Sequence, residues 1–168
     1  RIPPPSEATA AGPDALADVM TRHTPEAPNW PDFGLSERAV RARLAAIHPF
    51  DATEGIRTFY RMYAEARGAT RWGDKTPSYC FHVSHVEALV PEARFVHIVR
   101  DGRDVAVSLR RRWFSPGHDI EVQAEHWRRH VEAARDGCAS DRHHVEARYE
   151  DLVRSPEATL RPVCELLE

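Results

Sequence analysis

Residues Phe95–Val99 read Phe-Val-His-Ile-Val, a run of β-branched and aromatic side chains interrupted by one histidine. With Arg94 leading in, this run predicts an interior strand of a parallel sheet, because such strands are buried on both faces and lose the polar alternation of a half-exposed strand. It passes directly into Arg100-Asp101-Gly102-Arg103-Asp104. Val105, Leu109 and Trp113 then recur at helical spacing, which predicts a helix over 104–113 with those three turned inward. Strand, tight turn and helix in that order are half of a βαβ unit.

The rest of the chain supplies companions for that unit. Helical spacing is read over 13–22, then from Ser36 as N-cap through Val40, Leu44 and Ile47, then over 51–66 with Ile56, Phe59, Tyr60 and Tyr63 on one stripe and Gly68 as the stop. Further helices are expected over 78–89, with Phe81 or His82, Val86 and Leu89 inward, and over 120–134, anchored by Trp127 and Val131. A second strand is expected over 144–149. Ser155 followed by Pro156 starts a last helix whose buried stripe is Leu160, Val163, Cys164 and Leu167. These alternations imply an α/β fold, a three-layer arrangement of parallel sheet flanked by helices. Residues 1–168 are expected to form a single domain, one that needs further strands from sequence beyond both ends.

Composition narrows the function classes. A formal net charge of -3 gives no footprint for nucleic acid. No apolar run is long enough to span a bilayer and no signal-peptide core opens the chain, so a cytoplasmic address without a membrane span is expected. Three cysteines with no close pair suggest small buried hydrophobes, not a disulfide framework or zinc knuckle, and the ten histidines form no familiar metal signature. No metal is expected.

Ligands of open parallel sheets bind beyond the carboxyl ends of the strands, where Arg100 stands. Its planar fork of donors and the Ser108 hydroxyl on the following helix would together hold a phosphate. The alternative is that Arg100 pairs with Asp101 or Asp104 at the surface and Ser108 faces solvent. Arg110, Arg111 and Arg112 continue the basic stretch, as a solvated face with acidic neighbours or as a positive rim. Lys75 is the sole lysine. In Asp74-Lys75-Thr76-Pro77 its ammonium would stabilise charge growing on a transferred oxygen; alternatively, Asp74 and Thr76 cap the next helix and Lys75 is simply exposed. Glu7, in a Pro-rich leading arm, reads as an ordinary carboxylate unless that arm lies over the active-site edge.

Three blocks resemble the sulfotransferase family in order and spacing: residues 72–77 (Trp-Gly-Asp-Lys-Thr-Pro), residues 95–109 from Phe95 through Arg100 to Ser108 and Leu109, and Tyr149-Glu150-Asp151-Leu152. The resemblance implies a P-loop-NTPase-like fold using 3'-phosphoadenosine 5'-phosphosulfate (PAPS) as sulfuryl donor and releasing adenosine 3',5'-bisphosphate (PAP). It implies that Arg100 and Ser108 hold the 3'-phosphate, that Tyr149 lies close to the adenine, and that Lys75 lies near the sulfuryl group, as in the tyrosine-sulfating branch and similar bacterial proteins. The Lys-Thr-His context of the cytosolic small-molecule branch is missing, and in the tyrosine-sulfating branch the base is a glutamate shortly after the phosphosulfate loop. Glu7 occupies the corresponding place. The loop itself, Gly-x-Pro-Arg-Ser-Gly-Thr-Thr, is not among these residues, and Arg1 is expected to begin just after it.

The resulting expectation is an enzyme that moves a sulfuryl group to a hydroxyl or amine of a small-molecule, glycan or lipid acceptor. Acceptor walls are expected from residues 30–33, 59–63 and 113–118, where aromatics serve equally well as packing. A kinase would need a Gly-rich Lys-Ser/Thr loop and Mg²⁺ ligands, and neither is visible. The alternative from another class is an inert nucleotide-binding or partner-binding module derived from the same fold.

Overall fold

The structure is a computed structural model that describes residues 12–21, 30–139 and 143–168. It divides into two compact units, with the boundary between Thr76 and Pro77.

The first unit is helical: α1 (Pro13–Thr21), a 3-10 turn (Trp30–Phe33), α2 (Glu37–Ala45) and α3 (Ala52–Glu65). Leu16, Val40, Leu44 and Ile56, spaced by turns of their helices, are fully enclosed between them. Asp51 caps α3 by accepting from the Thr53 backbone N–H at 3.0 Å. Gly68 ends the helical segment with φ +64°, a conformation glycine adopts without strain. Arg67 donates to the Phe33 carbonyl at 3.1 Å and lies 3.8 Å over the Tyr63 ring, which ties the 3-10 turn to the end of α3.

The second unit runs from a 3-10 turn (Pro77–Phe81) through α4 (Val83–Leu89), β1 (Phe95–Val99), α5 (Gly102–Leu109), α6 (Ile120–Gly137), β2 (His144–Arg148) and α7 (Tyr149–Arg154) to α8 (Pro156–Leu167). β1 and β2 pair in parallel, from Phe95↔His144 to Val99↔Arg148. Helix α6 packs against the 3-10 turn and α5. Its Gly137 lies so close to α4 that an added Cβ would stand 2.8 Å from that of Val83.

The three-layer parallel sheet and its P-loop-like topology are not what forms. Among the described residues the sheet has only these two strands, and helices make up most of the remainder. Only two segments carry strand patterning, and two strands make too narrow a sheet to separate two helical layers. Nor is β1 buried on both faces: His97 turns toward Glu146, which also bonds Arg135 of α6, whereas Val96 and Ile98 are 39% and 53% exposed.

Several local expectations shift with it. Asp101 caps α5, accepting from the Arg103 backbone N–H at 2.9 Å, so the helix begins at Gly102, not at residue 104, and stops at Leu109, leaving Trp113 75% exposed. The expected helix over 78–89 divides into the 3-10 turn and α4, with Val83, Val86 and Val90 buried and Phe81 exposed. Leu160 and Leu167 of α8 are exposed, and of the cysteines only Cys138 is buried.

Candidate functional site

Both strands of the second unit end at a cleft of about 370 Å³, lined by Arg100 and Gly102 after β1, Trp127 and Arg135 from α6, and Arg148 and Glu150 at the end of β2. The turn from β1 into α5 is held on two sides. Trp127 donates its indole N–H to the Arg100 carbonyl at 2.9 Å, and the Glu150 carboxylate accepts the Asp101 backbone N–H at 2.8 Å. That backbone bond holds the Glu150 carboxyl below its ordinary range. A Cβ at residue 102 would stand 3.0 Å from the Trp127 ring, so glycine there lets the indole lie a few tenths of an ångström closer than a larger residue would. Trp127 and Glu150 were not assigned these duties from the sequence; their only local signals are a tryptophan on an amphipathic helix and a carboxylate after a strand.

The charges around the cleft are unequally matched. Asp101 is committed to Arg103, with a contact of 2.6 Å that pushes its carboxyl far below the usual range. Glu146 takes Arg135 in a bidentate grip at 2.8 and 2.7 Å, which lowers its carboxyl pKa. The other two cations have looser partners: Arg100 reaches Asp104 at 3.4 Å and Arg148 reaches Glu150 at 3.9 Å. The Arg100 Nε is buried without a hydrogen-bond partner, and its guanidinium lies 4.9 Å from the centroid of the Tyr149 ring. An orphaned guanidinium donor is costly unless something accepts from it. The residues therefore fit an anion carried on a flat group, with Arg100 as the fork and Tyr149 as a ring beside it.

Ser108 is not in this cleft. It lies on α5 one turn beyond Asp104 and is exposed. Lys75 belongs to the first unit. It is exposed and makes no hydrogen bond or ion pair among the described residues. Its neighbour Asp74 accepts from the Tyr60 hydroxyl and, at 2.9 Å, from the Thr76 hydroxyl, while Trp72 stacks on Tyr60 with ring centroids 4.3 Å apart. The turn is thus shaped by Asp74 and by Tyr60, whose part in it local sequence order does not indicate. Glu7 lies outside the described residues.

A model of the sulfotransferase family matches residues 2–168. The chain belongs to the sulfotransferase family. No curated protein and no solved structure matches it. For a sulfotransferase, sulfuryl transfer is the general activity and a PAPS-type donor the general cofactor class. No helix among the described residues is long and apolar enough to cross a membrane, and no group of three or more metal-ligating side chains occurs among them.

Proposed function

We propose that this sulfotransferase moves the sulfuryl group of PAPS to a hydroxyl or amine of a small-molecule, glycan or lipid acceptor, in the manner of the tyrosine-sulfating branch and in the cytoplasm. The observation that carries the donor assignment is Arg100, whose unpartnered Nε and long contact to Asp104 leave donors for the nucleotide's 3'-phosphate. Tyr149 stands beside that guanidinium, where a ring would pack along the adenine. Ser108 completes the phosphate grip if the ligand extends along α5 past Asp104. Arg148, with its loose partner, adds a second cation to the same strand-end cleft.

The donor brings an activated sulfur–oxygen bond, and this chain's residues supply the rest. Glu7 accepts the proton of the acceptor O–H or N–H as the new bond to sulfur forms. The electron pair of the breaking S–O bond goes to the departing phosphate oxygen, where the Lys75 ammonium offsets the growing charge. Asp74, braced by Tyr60 and Thr76, holds the turn that presents Lys75. Metal chemistry has no part in this assignment.

Transfer from PAPS by the full-length protein, with Glu7→Gln beside it, tests the proposal. Glu7→Gln should abolish sulfuryl transfer while leaving PAP binding nearly unchanged. A retained rate removes Glu7 from the base's role.

A further inference from the structure

We infer that the loop following α5 is a peripheral membrane-binding surface for anionic lipid headgroups. The inference is independent of the nucleotide assignment above. Five consecutive residues carry it: Arg110, Arg111, Arg112, Trp113 and Phe114. All five are exposed, Trp113 at 75% and Phe114 at 54%, and the two rings meet edge to face at 5.4 Å. None of the three arginines makes an ion pair or side-chain hydrogen bond among the described residues. Elsewhere arginines are closely matched: Arg41, Arg103, Arg128 and Arg135 each have a carboxylate within 2.6–2.8 Å.

The exposure of the rings is built in. Arg112 donates its backbone N–H to the Leu109 carbonyl, and Ser115 donates to the Arg112 carbonyl. Behind them Gln123, only 2% exposed, donates from Nε2 to the Ser115 hydroxyl at 3.0 Å and to the Gly117 carbonyl. The loop is therefore pinned from beneath while Trp113 and Phe114 are held in water. Neither ring lines the strand-end cleft or the concavity between Phe81 and the His126/His130 face of α6.

The kind of partner follows from the arrangement. Arg110, Arg111 and Arg112 stand just beyond the last residue of α5, exposed and lining neither of those concavities, so no cleft gathers them around one discrete anion. A fluid layer of anionic headgroups meets guanidiniums from every direction, and a Trp/Phe pair beside them suits the boundary between headgroups and acyl chains.

Co-sedimentation of full-length protein with phosphatidylcholine vesicles, with and without phosphatidylglycerol, tests this. Binding is expected only with phosphatidylglycerol and should fall steeply with salt. Each guanidinium contributes about five-fold in partition, so R110Q/R111Q/R112Q should lose on the order of a hundred-fold. R110K/R111K/R112K should retain most of the binding, because a membrane reads charge and a geometric anion site reads the fork. Trp113→Ala should weaken binding with the salt dependence kept. Equal partition to both vesicles, no partition, an unaffected Gln triple variant, or loss in the Lys triple variant overturns the inference. So does binding to polyglutamate or heparin without vesicle binding.

Discussion

Asp74 shows how a single carboxylate can fix the turn that carries its neighbour. By accepting from the hydroxyls of Tyr60 and Thr76 it fixes a turn, and Lys75 is the residue that turn presents. Tyr60 is only 4% exposed, so its hydroxyl bond to a charged acceptor is well placed to count. Tyr60→Phe should lower unfolding free energy by about 1.5 kcal/mol in urea denaturation. An unchanged midpoint would show that the turn does not depend on this bond. At this scale local order singles out Arg100 and Lys75 as candidates, one directly after a strand and the other the sole lysine in a turn. It was silent on Tyr60, Trp127 and Glu150, because their partners lie 14, 27 and 49 positions away.

Between β2 and α6 the important element is a three-member chain. His97 of β1 meets Glu146 of β2 at 3.1 Å, and Glu146 is gripped by Arg135 of α6. Burial lowers the His97 pKa below its ordinary 6.5, outweighing the attraction of Glu146. The unfolded chain therefore takes up the proton first as pH falls below about 6.5, so acidification costs stability in that range. Arg135 lowers the Glu146 pKa below 4.5, so its contribution persists above that pH and is lost as pH falls through the folded value. Thermal melts from pH 7 to 2 should show both legs, and His97→Gln should flatten the upper one while leaving the lower. An unaltered upper leg would contradict the role of His97. Elements were legible where one face is buried, as in α3, whose Ile56, Phe59 and Tyr60 all turn inward. Trp113 failed because spacing cannot say that a helix ends at Leu109, and α8 failed because an apolar stripe does not itself supply a cover.

At the scale of the molecule, strand patterning identified both strands and their parallel sense through the helical crossover, yet overestimated the sheet. Burial on both faces was inferred for β1 from composition, whereas Val96 and Ile98 face outward. The cleft where β1 and β2 end survives that correction, since it needs only two parallel strands, the turn at Arg100 and α6 behind it. The family assignment rests on the whole chain, while the placing of the donor rests on Arg100. Calorimetry of the full-length protein with PAP and with adenosine 5'-phosphate, which lacks the 3'-phosphate, isolates that placement. PAP should bind at least about ten-fold more tightly, and Arg100→Ala should erase the difference. Equal affinities of the unaltered protein for the two nucleotides would contradict it.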